Sequence, residues 1–194
     1  MTDDGRPVVL VVEDEPDVAE TYEFWLADEY EVRRAESGDD ALELVDDEVD
    51  VILLDRMMPG TPGDEVLREM RDRGIDCPVA MVSAVDPGFD VIEMGFDDYV
   101  AKPPRRDELL ETVAELLERA TYERDVRRLR TLIRKKALLE AEKSPEQLAA
   151  NDAFGRLRDD IEALRAELQA ESEPLADDVA FVSALRDLTD DEDA

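Results

Sequence analysis

Polar side chains suited to metal and phosphoryl chemistry stand at the ends of four apolar runs in this chain. The runs end at Glu13 and Asp14, at Asp55, at Ser83 and at Lys102. Apolar runs that alternate with helices form a parallel sheet, and such sheets bind ligands at the carboxyl ends of their strands. We therefore expect three carboxylates, one hydroxyl and one ammonium to meet in one crevice. This set suits a divalent cation and a phosphoryl group, with Asp55 as the acceptor.

The elements that would position these groups alternate between strand and helix from residue 7 to about residue 103. The predicted strands are Val8–Val12, Glu31–Ala35, a run ending at Asp55, Val79–Val82 and Tyr99–Ala101. Helices are predicted to start at Pro16 and Ser37, to cover Glu65–Arg73 and to lie near Pro87–Met94. Two of the strands are continuous aliphatic runs, as expected when helices cover both faces of a sheet. The pattern predicts a three-layer α/β/α domain.

The charge of the chain is its strongest compositional feature. Its 194 residues include 54 acidic and 23 basic side chains, for a net charge of −31. The periodic apolar runs argue against disorder as the reason for this charge. A halophilic protein in a high-salt cytoplasm, where dense counterions screen self-repulsion, is the hypothesis that accounts for it. The acidic surface also disfavours nonspecific nucleic-acid binding by the chain as a whole.

Several function classes are excluded by residues that the sequence lacks. It has no histidine, which removes histidine-based catalysis and most zinc sites. Cys77 is the only cysteine, so no intramolecular disulfide can form, which fits a reducing compartment. The acidic start Met1–Asp4 does not resemble a signal peptide, and no apolar stretch approaches the roughly 20 residues that span a bilayer. We therefore expect a cytoplasmic protein without a membrane segment.

Taken together, these motifs resemble the receiver domain of two-component response regulators. The matching residues are Glu13-Asp14, Asp55 with Met58-Pro59 and Gly63, Ser83-Ala84, Tyr99 and Lys102-Pro103. Lysine is the most specific of these matches, because the whole chain contains only four lysines. The resemblance covers about the first 120 residues. It implies a flavodoxin-like, doubly wound fold with a five-stranded parallel sheet in the order 2-1-3-4-5.

The resemblance also implies a chemistry. The implied magnesium ligands are Glu13, Asp14, Asp55 and the carbonyl of Met57. Asp55 would accept a phosphoryl group from a histidine of a partner sensor kinase, assisted by Lys102 and Ser83. Ser83 and Tyr99 would form a switch that responds to the phosphoryl group. Such a chain is a self-catalysed phosphoacceptor in a phosphorelay rather than an enzyme.

The sequence departs from the receiver family at two places, and one alternative function has to be considered. The segment between Ser83 and Gly95 is shorter than in most receivers by roughly one helical turn, so the usual output face is altered. Pro104 follows Pro103, and a cis Lys102–Pro103 peptide is compatible with this sequence. A metal-dependent phosphatase of similar sheet architecture is a weaker alternative, because Met57 stands where its second catalytic aspartate would be.

The sequence changes character after Pro104. No glycine or proline interrupts the segment from Arg105 to about Lys143, which predicts one long helix. Ser144–Gln147 is a capping box with proline at the first helical position, so a new helix should start there. A heptad-like apolar seam follows, formed by Phe154, Leu157, Ile161, Leu164 and Leu168. These features predict an α-helical hairpin or coiled coil that resembles the helical (HalX-like) extension of haloarchaeal response regulators.

The predicted organisation has three parts. Residues 1–120 form the receiver domain and residues 121–174 the helical extension. Residues 175–194 hold a short amphipathic helix, Val179–Leu188, and the acidic tail Asp190–Asp193.

A basic stripe lies in the helical extension. Its residues are Arg124, Arg127, Arg128, Arg130, Arg134, Lys135 and Lys136, with Asp125 as the one acid among them. A hairpin that turns near Ser144 would bring Asp159, Asp160 and Glu162 close to Arg127–Arg130, so that the charges satisfy each other within the chain or within a homodimer. The extension would then serve self-association or docking to another protein. The alternative is a DNA-binding transcriptional regulator that uses the stripe, although no winged-helix strand pair or three-helix recognition unit is evident.

Overall fold

The architecture comes from a computed structural model, which describes residues 5–85 and 94–172. Its elements are β1 (Val8–Val12), α1 (Pro16–Leu26), β2 (Glu31–Ala35), α2 (Gly38–Leu44), β3 (Val51–Asp55), α3 (Gly63–Asp72), β4 (Val79–Ser83), β5 (Asp98–Ala101), α4 (Arg106–Glu142), α5 (Pro145–Ala149) and α6 (Asp152–Ser172). The chain divides into two compact units, Met1–Ala120 and Thr121–Ala194.

The first unit is built on a five-stranded sheet in the order β2-β1-β3-β4-β5. All four neighbouring pairs are parallel, so the carboxyl ends of the strands share one edge. The register aligns these ends closely. Asp55 at the end of β3 lies opposite Val82, and Ser83 at the end of β4 lies opposite Ala101. This order and direction confirm the flavodoxin-like fold predicted from the sequence.

Alternate residues of the strands face two separate apolar layers. Leu10 and Met81 belong to the layer under α2 and α3, which contribute Ala41 and Met70. The opposite layer lies under α1 and the start of α4, and its buried residues include Val9, Val82, Tyr22, Leu26, Leu109, Val113 and Leu116. Strands β1, β3 and β4 are buried along their whole length, and every residue before the end of each strand is apolar. The only polar groups that these strands can place at the edge are therefore those at their carboxyl ends.

Helix α4 is the uninterrupted helix predicted after Pro104. In the second unit it packs against α6 through an apolar seam, whose buried residues are Tyr122, Leu129, Ile161, Leu164 and Leu168. The capping box at Ser144 is present: the Ser144 hydroxyl accepts from the backbone N–H of Gln147, and the Gln147 side chain accepts from the backbone N–H of Ser144. The sequence therefore predicted both the turn and the apolar seam of this hairpin.

The predicted pairing of these charges within the chain is not found among the described residues, and their pairing within a homodimer stays a prediction. In the described part of the chain, no ion pair joins Arg127, Arg128 or Arg130 to Asp159, Asp160 or Glu162. Arg127 instead pairs with Glu123, one turn earlier on the same helix, at 3.4 Å. The reason is geometric, because apolar side chains fill the seam and leave these charged residues exposed on other faces of their helices.

Two predicted helices fall outside the described residues: most of the one near Pro87–Met94, and Val179–Leu188. The predicted acidic tail falls outside them as well. The described helices were also searched for a membrane span, and none has the length and apolar character that crossing a membrane requires.

Cys77 provides a chemical probe of the first unit. Burial raises the pKa of its thiol to about 12. Since the thiolate is the nucleophile, the reactive fraction at pH 8 should be about a thousandfold smaller than for an ordinary cysteine. We expect iodoacetamide to label the folded protein correspondingly slowly, as measured by mass spectrometry. The same protein in guanidinium should label at the ordinary rate, and a folded protein that labels within tenfold of that rate would contradict the raised pKa of this half-buried thiol.

Candidate functional site

The predicted polar residues do lie together at the carboxyl edge of the sheet. Glu13 directly follows β1, where its backbone N–H donates to the carbonyl of Ala35 at 3.0 Å. Asp55 ends β3, Ser83 ends β4 and Lys102 directly follows β5. The backbone N–H of Lys102 donates to the carbonyl of Ser83 at 2.8 Å, which extends the β4–β5 pairing by one residue. The site is therefore fixed by sheet hydrogen bonds rather than by flexible loops.

The Lys102 ammonium joins two of the carboxylates. Its Nζ lies 2.7 Å from Asp55 Oδ2 and 2.6 Å from Glu13 Oε2. Both carboxylates are almost fully buried, with 5% of Asp55 and 1% of Glu13 exposed. Burial by itself lowers the pKa of Lys102, but the hydrogen bonds and Coulombic attraction to Asp55 and Glu13 outweigh it and raise that pKa. The ammonium therefore keeps its charge at neutral pH.

One positive charge does not neutralise this site. Carboxylate oxygens of Glu13, Asp14 and Asp55 all lie within 4.8 Å of one another. Burial raises the pKa of Glu13 and the nearby Asp55 raises it further, while Lys102 opposes both effects. Glu13 Oε1 is buried and has no hydrogen-bond partner among the described residues. Closely spaced hard oxygen atoms with one buried oxygen unsatisfied fit a divalent cation such as Mg²⁺.

Ser83 and Tyr99 are connected through the chain that follows β4. The Ser83 hydroxyl accepts from the backbone N–H of Val85 at 3.2 Å. The Tyr99 hydroxyl donates to the backbone carbonyl of the same Val85. Tyr99 is half-buried, and its ring lies 5.8 Å from that of Phe96. The hydroxyl groups of Ser83 and Tyr99 therefore contact the backbone of the same residue, Val85.

The loop after Asp55 is held by contacts that sequence reasoning missed. The backbone N–H of Met57 donates to Asp55 Oδ1 at 3.0 Å, which fixes the carboxylate, while the Met57 side chain is exposed. Arg56 closes the loop twice, because its carbonyl accepts from the Gly63 N–H at 3.0 Å and its Nε lies 3.2 Å from Asp64 Oδ1. Only 12% of the Arg56 side chain is exposed. The abundant charged residues gave no signal that this pair would form.

The basic stripe belongs to the second unit and not to this site. Six of its residues are exposed, namely Arg124, Arg127, Arg128, Arg130, Arg134 and Lys135, while Lys136 is half-buried.

The comparison with known families agrees with this geometry. The sequence model of the response regulator receiver domain matches residues 9–114. The chain belongs to the response regulator receiver domain family. A second family, the HalX domain, matches residues 118–185 and so begins four residues after the receiver match ends. Both families were predicted from the sequence motifs.

Solved receiver domains share the fold. The receiver domain of a "putative Luxo repressor protein" from Vibrio parahaemolyticus is 31% identical, with a TM-score of 0.58 over 62% of this chain and 97% of that one. The response regulator protein TrrA from Thermotoga maritima, in complex with Mg²⁺ and BeF, is 35% identical, with a TM-score of 0.53 over 57% of this chain and 99% of that one. Receiver domains bind Mg²⁺ at an acidic site, and Glu13, Asp14 and Asp55 form such a cluster here.

A longer relative covers both parts of the chain. A protein of Haloferax volcanii described as a "putative transcriptional regulator" is 47% identical over 167 residues, or 86% of this chain. The matched region is 28% of that relative, so the chain spans little more than a quarter of its length.

Gly63 tests how tightly the loop after β3 is packed. A Cβ at this position would lie 2.3 Å from the backbone carbonyl oxygen of Asp55. We expect Gly63→Ala to destabilise the protein by about 1–3 kcal/mol and to lower its melting temperature in calorimetry. Gly155→Ala in α6 is the matched control, because nothing lies within 4 Å of its Cβ. That variant should gain up to about 1 kcal/mol from helix propensity, and equal effects of the two changes would contradict the close packing.

Proposed function

We propose that Asp55 accepts a phosphoryl group from a histidine of a partner sensor kinase, in a reaction that requires Mg²⁺. The observation that carries this proposal is the contact of the Lys102 ammonium with the buried Asp55 carboxylate, at 2.7 Å and beside two further acids. An ammonium at this distance would neutralise the negative oxygens of a phosphoryl group that arrives at this face of Asp55. Membership in the receiver family supports the same role.

The residues of the site would act mainly by positioning and charge. The carboxylate of Asp55 attacks phosphorus in line, and its orientation is held by the Met57 N–H. Lys102 pairs with phosphoryl oxygens, and the Ser83 hydroxyl, whose oxygen accepts from the Val85 N–H, donates its hydrogen to one of them. Asp14, Asp55, Glu13 and the carbonyl of Met57 would hold Mg²⁺. When bound, the ion would neutralise the charge that builds up between the phosphoryl oxygens and these acids.

The proposed switch follows from the contacts of Ser83. Its hydroxyl and Tyr99 both contact the Val85 backbone, so drawing Ser83 toward a phosphoryl group would disturb the Tyr99 contact. The physical form of such a response is a population shift between two packings of Tyr99. No covalent change beyond Asp55 is needed.

The proposed domain arrangement is a receiver domain over residues 1–120 and a helical extension over residues 121–174. Helix α4 contributes Leu109 and Leu116 to the sheet-facing layer and Tyr122 and Leu129 to the hairpin seam. Because this one helix belongs to both units, we propose that phosphorylation of the first unit alters the second. The chain would act as a phosphoacceptor that signals to a partner, and the Haloferax relative's description suggests transcription as the regulated process.

The acceptor is tested by one substitution. Asp55→Asn removes the attacking carboxylate with almost no change in size, so labelling by acetyl phosphate with Mg²⁺ should fall to background. Phosphate-affinity electrophoresis or intact-protein mass spectrometry would measure the label. Asp76→Asn, at an exposed position outside the site, is the matched control and should label like the parent protein. A stable label on the Asp55 variant would mean that another residue is the acceptor.

Magnesium binding has a readout that does not involve phosphoryl transfer. At a Mg²⁺ concentration ten times its dissociation constant, binding to the folded state adds about 1.4 kcal/mol of stability, which should raise the melting temperature. Asp14→Asn should remove most of this rise, whereas Asp76→Asn should keep it, at one fixed ionic strength. Equal rises in all three proteins would indicate nonspecific binding of Mg²⁺ to the acidic surface instead of binding at the site.

A further inference from the structure

Arg56 directly follows Asp55, and its side chain is anchored to the first turn of α3. The guanidinium Nε lies 3.2 Å from Oδ1 of Asp64 and 3.3 Å from its Oδ2, and Nη2 lies 3.2 Å from the same Oδ2. Only 12% of the Arg56 side chain and 28% of the Asp64 side chain are exposed. Because solvent and salt ions reach this pair poorly, it should be screened less than the exposed ion pairs of this acidic chain.

The peptide group between Arg56 and Met57 uses both of its polar atoms. Its carbonyl oxygen accepts from the backbone N–H of Gly63 at 3.0 Å, and its N–H donates to Asp55 Oδ1 at 3.0 Å. Gly63 is the first residue of α3, and the first N–H groups of a helix have no partner within it. A peptide group is planar, so a rotation of this unit would disturb both hydrogen bonds at once. One peptide group therefore links the start of α3 to the Asp55 carboxylate.

The side chain of Arg56 adds a second attachment of this peptide group to α3. The hydrogen bond to Gly63 alone would leave rotation about its own direction possible, and the contact with Asp64 restricts that rotation. Asp64 is a suitable anchor, because a carboxylate in the first turn of a helix is stabilised by the helix dipole. Backbone and side chain of Arg56 thus bind two consecutive residues of one helix.

The orientation of Asp55 depends on two donors. Lys102 Nζ lies 2.7 Å from Oδ2, and the Met57 N–H holds Oδ1. In the proposed reaction Lys102 pairs with phosphoryl oxygens, which leaves the Met57 N–H to keep the carboxylate aligned for in-line attack. Small errors in such alignment lower the rate of transfer strongly.

These contacts assign a role to a residue outside the acidic crevice. We propose that Arg56 is a positioning residue for phosphoryl transfer: its ion pair with Asp64 fixes the Arg56–Met57 peptide group, which orients the Asp55 carboxylate. This inference rests on the proposed function of Asp55 as the acceptor.

The test compares two arginine variants of the full chain. Arg56→Met removes the ion pair and keeps an unbranched side chain. Arg33→Met is the matched control, because it breaks the contacts of Arg33 with Asp46 and Glu48 in the same unit but outside the loop after β3. Transfer from acetyl phosphate forms a bond between an Asp55 oxygen and phosphorus and releases acetate. Intact-protein mass spectrometry measures its initial rate at saturating Mg²⁺, at a temperature where circular dichroism shows each variant folded.

A positioning role affects the maximum rate more than the binding of the phosphodonor. For R56M the maximum rate should fall by about tenfold or more, because the carboxylate is no longer held in line. The KM for acetyl phosphate should stay within about twofold, because Lys102 is still present to bind its oxygens. R33M should keep both values within about twofold of the parent protein. Lower melting temperatures for both variants with unchanged maximum rates would overturn the proposal, since the pair would then be structural only.

A double-mutant cycle tests whether Arg56 acts through Asp64. D64N should lower the maximum rate by at least about threefold, whereas adding it to R56M should change the rate by no more than about twofold. Losses that multiply would overturn action through this pair. If R56M does not fold, D64N and R33M carry the comparison of rates, and an unchanged rate in D64N would overturn the proposal.

The Met57 amide gives a readout that needs no phosphoryl transfer. By nuclear magnetic resonance, its hydrogen exchange should be at least about tenfold faster in R56M than in the parent protein and in R33M. Equal exchange in all three would overturn the role of Arg56. A parent protein labelled at a residue other than Asp55 would overturn the proposed function and this role with it. A parent labelled at Asp55 with R56M labelled equally fast would overturn the role of Arg56 alone.

Discussion

The receiver part of this molecule depends on one electrostatic constraint: three acids must share a mostly buried crevice with a single ammonium. Removing carboxylates from water is costly unless each is paired, and Lys102 pairs with only two of them. Glu13 shows the remaining cost directly, since burial and the Asp55 charge raise its pKa and one of its buried oxygens has no hydrogen-bond partner among the described residues. The site is therefore poised for additional positive charge, which is the property that binding a divalent cation requires.

The sheet holds these charged side chains together despite this free-energy cost. Asp55, Ser83 and Lys102 stand at strand ends whose register is fixed by backbone hydrogen bonds, so they cannot separate without breaking the sheet. The loop after β3 is held equally firmly, because Gly63 lies against the Asp55 backbone and Arg56 is clamped to Asp64. The Ser83 hydroxyl and the Tyr99 hydroxyl both contact the Val85 backbone, and we propose that these side chains, more than the strand ends, respond to a new charge at the site.

Much of this arrangement could be predicted from the sequence, and the limits of prediction have physical reasons. Aliphatic runs with polar ends predicted the strands, their common edge and the meeting of Lys102 with Asp55, because direction and period fix those positions. The Arg56–Asp64 pair was missed, since charged residues are so abundant here that spacing alone does not select partners. Pairing of Arg127–Arg130 with Asp159, Asp160 and Glu162 was predicted, and within the described part of a single chain it is not found. The spacing of apolar residues determines which faces of α4 and α6 pack together. Long charged side chains outside that seam can instead form ion pairs with residues of their own helix, as Arg127 does with Glu123.

High salt weakens exposed ion pairs more than buried ones. At about 1 M salt the Debye length is about 3 Å, so exposed charges beyond direct contact hardly interact. The Lys102 contacts are short and largely shielded from solvent, and they should persist under such conditions, as should the apolar seam of the hairpin. Exposed pairs such as Arg127–Glu123 should contribute little to stability there.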